Sequence, residues 1–218
     1  MRPPYLLLDI DGVLIPFPDA DGSTPATHAR HDVVPSGWSA DNPVTVWLDP
    51  GHSRLLMDVI STGLVTPVWC TSWRQDAAIL IGPLLGLPPL PYVDLPRPQI
   101  TTSHPNGYLW KRDHVGAWLA DAPAVWIDDD FTGLDHAWAA ERTAHGAATL
   151  LVQPDPRVGL GAEHLAEARA WVERLSARTA RSSASGTFQP VSKKDRTRPP
   201  QTPCSAPRGP GAGKWTER

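Results

Sequence analysis

Cysteine is almost missing from this chain of 218 residues. Cys70 sits in an apolar stretch and Cys204 in a polar one, so no disulfide is expected and a reducing, cytoplasmic setting fits. No run reaches about 18 uninterrupted apolar residues, so no membrane span is expected. No basic stretch leads into an apolar core at the start, so export is not expected either. The eight histidines lack metal-ligand spacing such as His-x-x-x-His, which argues against a zinc site. His28, His31 and His104 read as solvated loop residues. Lysine is scarce as well. Lys111 is the only lysine in residues 1–180, where the other eleven formal cations are arginine.

The charge that is present is unevenly spread. Residues 1–180 hold twelve Lys or Arg against twenty-one Asp or Glu, and residues 181–218 hold eight against two. The body is acidic and the tail basic. The tail is also rich in Ser, Pro and Gly, a composition that cannot bury enough apolar surface to fold. We therefore expect one folded domain over residues 1–178 and a disordered tail over 179–218. The tail either contacts RNA or another polyanion or merely solubilises the chain.

Within the body, short apolar runs alternate with helical patterns. Strands are predicted at Tyr5–Asp9, Pro67–Thr71, Ala124–Asp128 and Ala148–Val152, with a weaker one near Leu90–Asp94. Asp49-Pro50 starts a helix that Gly63 stops. Further helices are predicted over Gln75–Leu85 (disturbed at Gly82-Pro83), Lys111–Ala120 with Val115, Trp118 and Leu119 inward, Gly133–Ala144 and Gly161–Ala177. Such alternation implies an α/β fold with a parallel sheet and right-handed crossovers. Pro16–Val44 reads as a hairpin flap or a surface loop, and Pro83–Pro105, with its many prolines, as an extended connector.

The chemistry gathers at the strand ends. Leu6-Leu7-Leu8 suits a strand buried on both faces, and it runs into Asp9, Asp11 and Gly12. The second strand, Val68-Trp69-Cys70, ends in Thr71 and Ser72. Lys111 stands at a predicted helix start. The strand Val125-Trp126-Ile127 ends in Asp128, Asp129 and Asp130. In a parallel sheet these ends share one edge, where open α/β sheets bind ligands. Carboxylates for a hard cation, a hydroxyl donor and a lysine together make a phosphate site.

This order of motifs resembles the haloacid dehalogenase (HAD) superfamily, over roughly residues 5–175. Asp9, Asp11 and Gly12 match its first motif, Thr71 its second, Lys111 its third, and Asp128 with Asp129 its fourth. The Trp-Cys-Thr-Ser-Trp, Trp-Lys and Trp-Ile-Asp-Asp-Asp segments are similar to the HAD domain of Swiss Army Knife RNA-repair proteins. Val13 stands where phosphatases of the superfamily often carry Thr. The resemblance implies a three-layer, Rossmann-like sheet and a Mg²⁺-dependent phosphohydrolase. It implies that Asp9 is the nucleophile, Asp11 the acid and base, Thr71 a phosphate ligand and Lys111 a charge partner. Mg²⁺ would be held by Asp9, the backbone carbonyl of Asp11 and Asp128, with Asp129 supporting that shell.

Each residue also has a plainer reading. Thr71 or Ser72 can cap a helix. Asp128 to Asp130 can cap the helix at Gly133. Lys111 can be a solvated charge, and Arg112 competes for its role, although a pointing ammonium and a forked guanidinium are not interchangeable. Asp-x-Asp-Gly occurs in calcium loops, but Val13 and Leu14 stand where such a loop needs oxygen ligands. Trp69, Trp118, Trp126, Trp138 and Trp171 read as core, and Trp38, Trp73 and Trp110 as candidate walls of a site.

The insertions bear on substrate size. About 30 residues follow the first strand before the next regular element, and about 37 lie between Trp73 and Lys111. Neither gap holds a large folded cap. A minimally capped site is open to large phosphorylated substrates such as RNA or DNA ends. The alternatives are a small-metabolite phosphatase or a binding module of the same fold without turnover. Dehalogenases of the superfamily do not need the second acid, so Asp11 disfavours that chemistry.

Overall fold

The computed structural model describes residues 2–96 and 105–185. Strand β1 (Tyr5–Leu8) lies in the interior of a four-stranded parallel sheet. It pairs on one side with β4 (Thr66–Trp69) and on the other with β5 (Ala124–Ile127), and β6 (Thr149–Val152) pairs with β5. Leu8 is in register with both Trp69 and Ile127. The residues that follow these partners therefore emerge together at the carboxyl edge.

Helices cover both faces, giving three layers. Leu6, Leu8, Val125 and Ile127 pack with Leu56 and Val59 of α1 (Gly51–Ile60) and with Leu165, Ala168 and Val172 of α5 (Ala162–Ser185). Leu7, Val68 and Trp126 pack on the other face with Val115 and Leu119 of α3 (Arg112–Leu119), and Trp138 of α4 (Gly133–Ala144) joins them. Because successive side chains of a strand point to opposite faces, the Leu6-Leu7-Leu8 run serves both cores. Each fully buried leucine contributes about 1.5–3 kcal/mol. The expected parallel α/β architecture is thus present.

Several boundaries and orientations differ from expectation. Trp118 is 41% exposed rather than inward, with its ring 4.7 Å from that of Tyr5. The stretch predicted as a disturbed helix is a π-helical turn, Ala77–Ile81, running into the short α2 (Gly82–Leu84). The weak strand near Leu90–Asp94 is a single bridge from Tyr92 to Trp69. Pro50 takes the N-cap position of α1, and the Asp49 carboxylate accepts the Gly51 N–H at 2.7 Å. Helix α5 continues past its predicted end at Ala177 to Ser185. Residues 186–218, which hold most of the predicted tail, lie outside the described residues, as do His104 and part of the connector.

The segment after β1 is a hairpin. Strands β2 (Ala29–Val33) and β3 (Val44–Leu48) pair antiparallel, His31 opposite Val46. Its turn is tied down. The Ser36 N–H and hydroxyl donate to the Asp76 carboxylate at 2.9 and 2.6 Å. The hairpin is therefore a fixed wall and not a large folded cap.

Candidate active site

Backbone register brings the first carboxylates together. The Asp9 N–H donates to Ile127 O at 3.1 Å, which extends the β1–β5 ladder to the point where Asp9 and Asp128 leave the sheet. Asp9 is 5% exposed and Asp128 fully buried. Lys111, 4% exposed at the start of α3, sets its ammonium between them. Its Nζ donates to Asp9 Oδ2 and, at 2.7 Å, to Asp128 Oδ2. The other Asp9 oxygen accepts the Ile10 N–H at 2.8 Å. Arg112 is not the partner. Its guanidinium stacks on Tyr108 at 3.2 Å from the ring centre and donates to Leu134 O.

Asp11 is held separately. The indole N–H of Trp73 lies 3.1 Å from each of its oxygens, and the Ser72 hydroxyl donates to Oδ2 at 3.2 Å. The hydroxyls differ from expectation here. The Thr71 hydroxyl oxygen is fully buried and lies 3.4 Å from the Trp73 N–H, a cap-like contact, whereas Ser72 lines the cleft and bonds the acid. The plainer reading, in which Asp128–Asp130 cap the helix, gives way to Thr132, whose N–H and hydroxyl donate to Asp135. Asp128 still accepts the Asp130 N–H at 3.2 Å, which fixes the turn after β5.

Gly12 is required twice over. Its φ of 71° is in the left-handed region, and a Cβ there would lie 2.2 Å from Asp129 Oδ2. The missing side chain lets Asp129 close over the loop after β1. Oxygens of Asp9, Asp128 and Asp129 then lie within 4.8 Å of one another. Asp9, Asp11, Lys111, Asp128 and Asp129 all line one cleft of about 400 Å³, with Trp110 and Phe17 on its walls.

The electrostatics fit a cation. Five carboxylates, Asp130 among them, line the cleft with one ammonium. Burial raises the Asp11 carboxyl above its ordinary range, and Asp9 beside it adds to the shift, while Trp73 and Lys111 pull it back. Complete burial also raises Asp128, against the pull of Lys111. Burial and then Asp9 push Asp129 up to about 6. Burial would strip Lys111 of its proton, but Asp128 and Asp9 outweigh it and hold the ammonium above the usual lysine range. The uncompensated negative charge and the three gathered hard oxygens suit a hard divalent cation.

Sequence reasoning picked Trp38, Trp73 and Trp110 as possible walls, and all three line clefts at this edge. It missed that Trp73 and Ser72 hold Asp11, and that Asp76 fixes the hairpin. Trp-Cys-Thr-Ser-Trp gives no periodicity that separates a wall residue from a hydrogen-bond donor.

The family model described as the HAD domain in Swiss Army Knife RNA repair proteins matches residues 5–165. No curated protein and no solved structure matches the chain. The matched span runs from β1 into α5 and takes in every strand and every carboxylate of the cleft, so the chain belongs to the family of HAD domains found in Swiss Army Knife RNA repair proteins.

Proposed function

We propose that this chain is a Mg²⁺-dependent phosphomonoesterase that removes phosphate from nucleic-acid ends. Its family implies a phosphohydrolase-type fold. The observation that carries the reading is the pairing of two carboxylates with different environments. Asp9 is buried on Lys111, and Asp11 is held apart with a raised pKa. Two acids whose surroundings separate their tasks are what acid-assisted displacement needs.

An Asp9 oxygen attacks phosphorus. The bond from phosphorus to the ester oxygen breaks as the Asp9–phosphorus bond forms, and Asp11 gives its proton to the leaving oxygen. Asp11, now a carboxylate, takes a proton from water as that water attacks the aspartyl phosphate. Inorganic phosphate leaves and Asp9 returns. Lys111 offsets the charge on Asp9 and on the phosphoryl oxygens, and the Ser72 hydroxyl orients Asp11. Asp9, the Asp11 carbonyl and Asp128 would hold Mg²⁺, with Asp129 in support, and the ion would supply positive charge to the phosphoryl oxygens. The open cleft and the RNA-repair setting of the family support a polynucleotide end as the substrate.

The test is phosphate release from phosphorylated RNA and DNA oligonucleotides, nucleotides and sugar phosphates, with and without Mg²⁺. We expect Mg²⁺-dependent release that Asp9→Asn lowers by a factor of about 10³ or more. Turnover surviving that substitution removes Asp9 as nucleophile. An inert module of the same fold would release nothing and would gain no thermal stability from fluoride–metal phosphate mimics.

A further inference from the structure

A second, larger cleft of about 710 Å³ joins the catalytic one along Asp11 and Ser72. Its walls come from three separate segments. Trp38 comes from the hairpin turn, Trp73 from the loop after β4, and Tyr92 from the extended chain that bridges to Trp69. Trp38 is 55% exposed and Tyr92 36%. Large aromatic surface left open beside a site is costly in water and marks a place where a flat apolar group binds.

The position gives the groove its role. Asp11 is the acid, so the leaving group departs on its side, and the groove begins at Asp11. Charge narrows the occupant. Arg74 is paired with Asp94, and the Asp11 and Asp76 carboxylates also line the groove, so it presents no unpaired cation among the described residues. It does not suit a second phosphate or a long polyanionic track. Ser36, Gln75 and Arg74 offer polar groups at the rim for the edge of a ring. A flat, uncharged, heteroatom-edged ring linked to a phosphate is a nucleobase. Stacking of a base on an aromatic side chain is worth about 1–3 kcal/mol.

We propose that this groove holds the nucleobase of the nucleotide whose phosphate is removed. The assignment of sides rests on the phosphohydrolase reading above. The hairpin is the element that makes the subsite, because it carries Trp38, and the Ser36–Asp76 contact fixes where that ring stands.

Binding to the full chain carrying Asp9→Asn tests this without turnover. Adenosine monophosphate (its 3′ and 5′ isomers), ribose phosphate and phosphotyrosine are titrated by calorimetry in the presence of Mg²⁺. One isomer of the nucleotide is expected to bind at least about tenfold more tightly than ribose phosphate, the ratio that about 1.4 kcal/mol of stacking gives. Trp38→Ala is expected to bring that ratio below about threefold, and Tyr92→Ser to lower it as well. Equal affinity for nucleotide and ribose phosphate overturns the proposal. So does tighter binding of phosphotyrosine, which would make the groove a site for an aromatic amino acid. The two readings fail separately. Base preference without phosphate release by the unsubstituted chain leaves the groove and removes the enzyme. Phosphate release without base preference does the reverse.

Discussion

Lys111→Met is the perturbation with the most calculable consequence. Methionine keeps an unbranched stem and removes the charge and its donors. Lys111 is buried, and its ammonium serves two buried carboxylates, Asp9 and Asp128. Without it those two acids face each other with Asp129 close by and no cation among them. Removing one partner of a buried ion pair costs about 3–5 kcal/mol, because the remaining charge is left uncompensated. In a domain of this size each kcal/mol moves Tm by about 2–4 °C, so Tm should fall by about 6–20 °C.

The pH dependence has a definite sign. Burial raises Asp128 and Asp129 above their ordinary values, and losing Lys111 raises Asp128 further. A carboxyl whose pKa is higher in the folded than in the unfolded chain favours the fold below the unfolded pKa. That contribution is lost as pH rises through the folded pKa. The variant should therefore recover toward the unsubstituted chain as pH is lowered from about 8 to about 5. Mg²⁺ should recover it too, and by more degrees than it adds to the unsubstituted chain, since it replaces a missing positive charge. Thermal melts across that range, with and without Mg²⁺, read all three effects. A fall under about 2 °C near pH 8, or a gap that widens on acidification, refutes the picture of a charge-starved cluster held by one lysine.

Two further substitutions separate the parts of the site. Trp73→Phe removes the indole N–H that stabilises ionised Asp11, so the Asp11 pKa should rise further and the basic limb of the kcat–pH profile should move up. An unmoved limb would detach Trp73 from the acid. Gly12→Ala forces a side chain into a left-handed φ and against Asp129, so it should cost more than about 1 kcal/mol and weaken Mg²⁺ binding measured by calorimetry. Unchanged Tm and unchanged Mg²⁺ affinity would show that Asp129 does not depend on the gap Gly12 leaves.

Much of this was legible in the chain because strands carry their chemistry at their ends. Leu6-Leu7-Leu8 is apolar without alternation, which fits a strand buried on both faces, and the acids follow it directly. The hairpin was legible only as one of two readings, a flap or a surface loop, for the opposite reason. Ala29–Val33 buries only Val33, and the hairpin's exposed face is held by polar contacts, with Thr45 donating to Asp32 at 2.6 Å. Val44, Val46 and Leu48 of β3 do alternate toward the core, but β2 offers no matching hydrophobic period to pair with them. Trp118 has the spacing of a core residue, but Val115 and Leu119 already fill the face of α3 toward the sheet. The end of α5 was hidden by composition. A segment with few apolar residues gives no packing reason to be helical, yet the helix begun by Leu165, Ala168 and Val172 carries on to Ser185.

The choice between neighbouring residues shows what sequence leaves open and register decides. Asp128 and Asp129 are chemically identical, and either one suits a cation. Leu8 pairs with Ile127, so the next residue on each strand is Asp9 on one and Asp128 on the other. These two meet on a single ammonium, while Asp129 reaches the cluster only across the bare backbone of Gly12. Strand side chains alternate with a period of two, so a slip by one residue would turn Asp128 away from Asp9 and exchange the two buried faces of β5 between the two cores. Trp126 sits in one of them against Phe131 and Trp138, with ring centres 5.3 and 6.2 Å away, and it would have to leave both rings. The apolar packing on the faces of the sheet thus holds the acidic pair in register at its edge, and the geometry of the cleft is inherited from residues that do not line it.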